Sequence, residues 1–157
     1  MNKSHKEPSL VYDDYWIAMA FMIAASSKNL HQGAVIIGPS SELLSMACDG
    51  LPKTIQNLNQ NQNHHTIPAE INAIFKSSSL LQNGIIYLTH TPCYNSCLVI
   101  LAASIKRIVY FPTTPLDKNC SEVMRCSYAQ IEEFHGNLNW MRDYIQTLDI
   151  FNCDINK

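Results

Sequence analysis

Three short segments carry most of the side chains that could do chemistry. Pro68-Ala69-Glu70 puts a carboxylate in the first turn of an expected helix. Thr91-Pro92-Cys93-Tyr94-Asn95-Ser96-Cys97 puts two thiols and a hydroxyl at the start of another, just after His90. His64 and His65 stand a few residues before Pro68. A carboxylate can carry protons to and from a bound water. Thiolates and imidazoles are the usual ligands of zinc. Cys93 and Cys97 are four apart and would share a helix face. These residue types could hold a metal, move a proton, or only pack.

The elements that must position them can be read from pattern. Tyr12–Lys28 lacks Gly and Pro and is rich in Ala and Met, so it predicts a helix, with Asp13 and Asp14 at its acid-favouring start. Gly33–Gly38 and Glu42–Ala47 flank a Pro39-Ser40-Ser41 turn and predict an antiparallel hairpin ended by Gly50 and Pro52. Residues 53–66 are dominated by Asn and Gln and read as a long polar loop. Pro68–Ser79 opens with Pro and has Glu70 in its first turn, so it predicts a second helix. Asn83-Gly84 is a turn. Ile85–Thr89, a helix over Cys93–Ser104 and Arg107–Phe111 then form a parallel strand–helix–strand unit. Two more helices are expected near 119–134 and 138–149. Trp140, Tyr144 and Ile145 pack the last one. Residues 1–10 are expected to be a loose tail, and 11–157 a single domain.

Composition sets the limits. The chain has 157 residues, 46% apolar and 15% charged. One domain of this length buries enough surface to fold without a disulfide scaffold. The net charge of -2 gives no general attraction to nucleic acid or anionic membrane. Six cysteines are too sparse for a disulfide-rich secreted scaffold, so the thiols are read as reduced and the compartment as cytoplasmic. The first ten residues hold no apolar signal segment. The apolar stretches Trp16–Ala25 and Cys97–Ala103 fall short of the ~20 residues that span a bilayer.

The two helix starts, with Gly33-Ala34-Val35-Ile36, Gly50-Leu51-Pro52 and Ile105-Lys106-Arg107-Ile108-Val109-Tyr110, resemble the cytidine and deoxycytidylate deaminase superfamily over roughly residues 12–111. The likeness is greatest to the CMP/dCMP type. It implies a three-layer α/β/α fold, a mixed sheet with helices on both faces. It also implies a zinc ion held by the His of H-A-E and by both Cys of P-C-x-x-C, with the Glu as proton shuttle. The fourth zinc position holds a water whose pKa the metal lowers to about 7.

Two of the three implied ligands are missing. The His position is Pro68, which has no donor, and the second Cys position is Ser96. An ungapped register from Cys93 to Ile105 makes Ser96 the counterpart and puts Cys97 one residue out. Glu70 remains as a vestigial shuttle and Cys93 as a single thiolate. Substrate-binding candidates by resemblance are Asp49, in place of a sugar-contacting Asn, together with Ala69 and His90. Lys28 is a weaker basic candidate before the Gly33 strand. Arg125 and Arg142 could meet phosphate but read as surface arginines.

The expectation is therefore a deaminase-family protein without its catalytic zinc and with no cofactor. It would act by binding a pyrimidine nucleotide or a protein such as an active deaminase, and would self-associate. The alternative is an active zinc enzyme with a rebuilt ligand set of His65, Cys93 and Cys97. Against it, the step from position 96 to 97 turns a ligand by ~100° about the helix. Cys97 otherwise reads as a core thiol. Without zinc, Glu70 must find new donors, and Ser96, Asn95, Thr91 and His90 are near in sequence.

Overall fold

The computed structural model describes residues 9–52 and 65–139. In chain order these form α1 (Ser9–Ala24), β1 (Gly33–Ile37), β2 (Leu43–Cys48), α2 (Ala69–Lys76), β3 (Ile85–Leu88), α3 (Tyr94–Ala102), β4 (Arg107–Tyr110), α4 (Lys118–Arg125) and β5 (Gln130–Glu133). The five strands make one sheet in the order β2-β1-β3-β4-β5. β1 pairs antiparallel with both β2 and β3, whereas β3–β4 and β4–β5 are parallel. This is the mixed-sheet α/β/α architecture expected from the sequence.

The strands' period of two divides the core. Ala34, Ile36, Ile86, Leu88, Ile108 and Tyr110 face Ala69 and Ala73 of α2, Ile100 of α3 and Met124 of α4. The intervening Val35, Ile37, Tyr87 and Val109 face Trp16, Ile17 and Ala20 of α1, and Phe134. Both faces of β1 are therefore buried, which is why Gly33–Ile37 is apolar throughout rather than alternating. Each fully buried Ile or Leu contributes roughly 1.5–3 kcal/mol. Gly33 has a packing role, because a Cβ there would collide with the Ala20 carbonyl of α1.

Three sequence expectations need correction. Helix 1 begins at Ser9, inside the segment read as tail, so Asp13 and Asp14 lie in its second turn rather than at its start. Asp13 is instead buried and paired with Arg107. The helix expected over 119–134 stops at Arg125, and Gln130–Glu133 is a strand. The open edge of β4 offers backbone partners that local propensity cannot foresee, and β5 takes them in parallel register. Finally, the thiols are not all free. Cys97 and Cys120 form a disulfide, while Cys48, Cys93 and Cys126 are free. The helix expected over 138–149 lies almost wholly outside the described residues, as does most of the loop 53–66. Among the described residues no helix is long and apolar enough to cross a membrane.

Candidate functional site

The site is built where α2 and α3 begin. Pro68 is the N-cap residue of α2 and Cys93 that of α3, and neither side chain caps its helix. Such ends present free backbone N–H groups and a positive dipole. The approach to α2 is tied down by a bridge between Gly50 and Ile67, with N···O distances of 2.8 and 3.2 Å. Asn72 donates a hydrogen bond from Nδ2 to the Cys48 carbonyl at 3.1 Å. The approach to α3 leaves β3 through Thr89, whose hydroxyl accepts the Gly33 N–H at 2.9 Å. Thr91 then donates through its hydroxyl to the Thr114 carbonyl at 2.7 Å.

Glu70 lies at the centre, 1% exposed. Its Oε2 is 3.2 Å from His90 Nε2. That is a charge-contact distance, but the ring N–H is not aimed at Oε2, which has no aligned donor among the described residues. His90 Nδ1 is also buried without a partner. Burial raises the Glu70 carboxyl pKa. The close approach and charge of His90, with the nearby Ser96 hydroxyl, lower it by more. The carboxyl thus lies below its ordinary value and is a carboxylate at neutral pH. Ser96 is fully buried, and its Oγ is 3.3 Å from Cys93 Sγ. Glu70, His90, Ser96 and Cys93 therefore come together. Asn95 is exposed, and Thr91 is turned to the loop after β4.

The other expected residues are placed differently. Ala69 is buried in the core beside the sheet. Asp49 is 2% exposed, and its carboxylate accepts the N–H of Leu30 at 2.9 Å and of Gln32 at 2.8 Å. It holds the loop between α1 and β1 in place. Beside it is an open cleft of about 300 Å³ lined by Ser26, Ser27, Lys28, Asn29, Asp49, Gly50 and Leu51. Lys28 thus meets Asp49 at one cleft, while Glu70 is not part of its lining.

These residues do not fit a three-ligand zinc ion. Pro68 offers no donor, and Ser96 supplies a hydroxyl that is not a usual zinc ligand. Among the described residues no three His, Cys, Asp or Glu side chains gather as a metal-binding group. The rebuilt set of His65, Cys93 and Cys97 is corrected by the disulfide. Cys97 is fully buried and its sulfur is bonded to Cys120 of α4, so it is turned from Cys93 into the core. His65 is exposed. Sequence reasoning missed Asn72, the Gly50–Ile67 bridge and Cys120. Only the Cys at position 120 was a visible signal, and nothing in its spacing named Cys97 as its mate.

Comparison with known proteins agrees with this fold. The sequence pattern described as the cytidine and deoxycytidylate deaminase zinc-binding region matches residues 11–112. The dCMP deaminase of the cyanophage S-TIM5, in apo form, superposes with a TM-score of 0.67 at 20% identity, covering 81% of this chain and 98% of that one. RibD of Acinetobacter baumannii gives 0.60 at 21% identity, covering 80% of this chain but 36% of its own. At these identities the likeness is one of fold. No curated protein sequence matches the chain.

Proposed function

The chain belongs to the cytidine and deoxycytidylate deaminase family, and we propose that within it this member has lost zinc-dependent hydrolysis and acts by binding. The observation that carries the reading is the pair Pro68 and Ser96 at two of the three ligand positions, beside a Glu70 drawn to His90 instead. No remaining group of the motif lowers the pKa of water to near neutrality. The ligand we favour is a pyrimidine nucleotide. The cyanophage enzyme of the same fold has been seen in complex with dCMP and dUMP. The cleft beside Asp49 and Lys28 supports this, since its volume of about 300 Å³ is that of a small ligand site. A protein partner, such as an active deaminase, is the competing occupant. Self-association and residence in the cytoplasmic nucleotide pool complete the reading.

Three measurements on protein purified without chelator test it. Elemental analysis should find far less than one zinc per chain. Ammonia release from dCMP, CMP, deoxycytidine and cytidine should stay at background. A pyrimidine nucleotide should raise the melting temperature, because a ligand that binds only the folded state must do so. Stoichiometric zinc lost on Cys93→Ser, or ammonia release abolished by Glu70→Gln, would overturn the loss of hydrolysis. No shift with any nucleotide would move the reading to the protein partner. Pro68→His with Ser96→Cys should bring zinc content toward one per chain, without restoring full activity, because Asp49 has also changed.

A further inference from the structure

The Cys97–Cys120 bond lies outside the chemistry just described and ties two elements that otherwise only pack. Cys97 sits in the first full turn of α3, directly after Ser96. Cys120 sits in the first turn of α4, whose N-cap Asp117 accepts the Asn119 and Cys120 N–H groups. Both residues are fully buried, and their Cα atoms are 6.3 Å apart, within the span a disulfide bridges. The closed loop, whose ends are 23 positions apart in sequence, contains β4 and the loop after it, which Thr91 holds through Thr113 and Thr114. Three other described cysteines, Cys48, Cys93 and Cys126, are free. Of these, Cys93 and Cys126 are exposed, so among the described residues one bonded pair lies in the core and two open thiols lie outside it.

We infer that Cys97–Cys120 is a redox-responsive clamp joining α4 to the helix that begins the Glu70–Ser96 site. In the oxidised form the bond fixes α4 against α3. A dithiol reductant donates two electrons and two protons, becomes a disulfide itself, and leaves two buried thiols. These still pack side by side, but α4 is then held without a covalent tie, by Met124 and Val123 against the core and by its Asp117 cap. Ser96 precedes Cys97 on the same helix, so the clamp acts one residue from the site. The inference stands independently of whether nucleotide or protein is the ligand.

The test uses the full chain equilibrated either with oxidised glutathione or with dithiothreitol, then alkylated and digested. The oxidised sample should yield one linked peptide pair, Cys97 with Cys120. Its intact mass before alkylation should be lower by two hydrogens. Its melting temperature should exceed that of the reduced sample by roughly 5–10 °C, the shift a loop of this length gives a chain of this size. Amide exchange in α4 should be slower in the oxidised form. Two further variants keep the test independent of folding defects in the core. Cys93→Ser and Cys126→Ser, both at exposed positions, should leave the linked pair and the shift unchanged. Free Cys97 and Cys120 thiols after oxidation, a link to Cys93 or Cys126 in their place, or identical melting in both states would each overturn the clamp.

Discussion

The sheet carries one charged cluster on each face, part-buried on the α1 side and buried on the α2 side, and the two are finished differently. On the α1 face, Arg107 donates from both terminal nitrogens to the two oxygens of Asp13 at 2.8 and 2.7 Å. It also donates from Nε and one terminal nitrogen to Glu132 at 3.2 and 2.7 Å. Tyr87 adds its hydroxyl to Asp13 at 2.7 Å. Asp13, Arg107 and Glu132 each have an aligned partner there, although Asp14 Oδ1 and Trp16 Nε1 of α1 beside them do not. On the α2 face, Glu70 and His90 are close, yet Glu70 Oε2 and His90 Nδ1 both lack one. A buried cluster that only holds a fold together is expected to be closed, because unmet polar atoms cost stability. An open one persists where structure was shaped by something other than stability, and that is where a site belongs.

Arg107 joins every other member of the α1-face cluster, Tyr87 through Asp13. Arg107→Met leaves Asp13 buried beside β3 and β4 without its counter-charge, and Glu132 without its donor. Removing one partner of a buried pair costs about 3–5 kcal/mol, and solvent access to Arg107 and Glu132 puts the loss at the low end. Urea unfolding should show a lower midpoint with an unchanged slope. A loss below about 1 kcal/mol would show that the network is a surface one and that the contrast between the faces is empty.

Glu70→Gln should be milder, about 1 kcal/mol at pH 7, since the carboxylate it replaces is only partly satisfied. Its pH dependence is the sharper reading. The folded Glu70 carboxyl lies below its ordinary value of 4.5 despite its burial. The stabilisation is therefore complete above the unfolded value and is lost as pH falls through the folded one. The gap between wild type and variant should be constant from pH 7 to about 5 and close below 4.5 on acidification. A gap that widens on acidification would mean that desolvation outweighs His90, and that the carboxyl is held neutral.

These contrasts also mark where sequence reading stops. Strands were legible because Gly33–Ile37, Ile85–Leu88 and Arg107–Tyr110 are short, β-branched and bounded by turns. Helices α2 and α3 were legible because Pro68 and Pro92 mark where each starts. Gln130–Glu133 was not, because its strand state depends on an edge supplied by β4, more than twenty residues earlier. At the site, the residue identities at 68, 70, 93 and 96 could be read one by one. Which of them touch could not. His90 was a substrate-binding candidate by resemblance and one of four candidate partners for Glu70 until β3 placed it there. Asp49 was a sugar contact by resemblance until the loop between α1 and β1 was seen to close on its carboxylate. The Cys97–Cys120 bond needed α3 and α4 to be adjacent, which no spacing announces.

The smallest effect should come from a loose end beside the closed cluster. Asp14 follows Asp13 in α1, and its Oδ1 is buried without a partner among the described residues. Desolvation raises its carboxyl pKa above the ordinary 3.8, and the Asp13 charge next to it adds to the rise. For an acid with a raised folded pKa the sign is the reverse of that at Glu70. The charge costs nothing below the unfolded value, and the cost develops as pH rises through the folded one. Asp14→Asn should therefore stabilise the chain at pH 7 by about 0.3 kcal/mol, because partial exposure screens most of the repulsion. The gain should vanish near pH 3. Paired urea titrations of wild type and variant at the two pH values would show it as a midpoint difference present only at pH 7. If Asp14→Asn instead destabilised the chain at pH 7 by more than about 1 kcal/mol, Asp14 would be a working member of the Arg107 cluster. The cluster would then be larger than Asp13, Tyr87 and Glu132, and its closure would depend on a charge that now stands outside it.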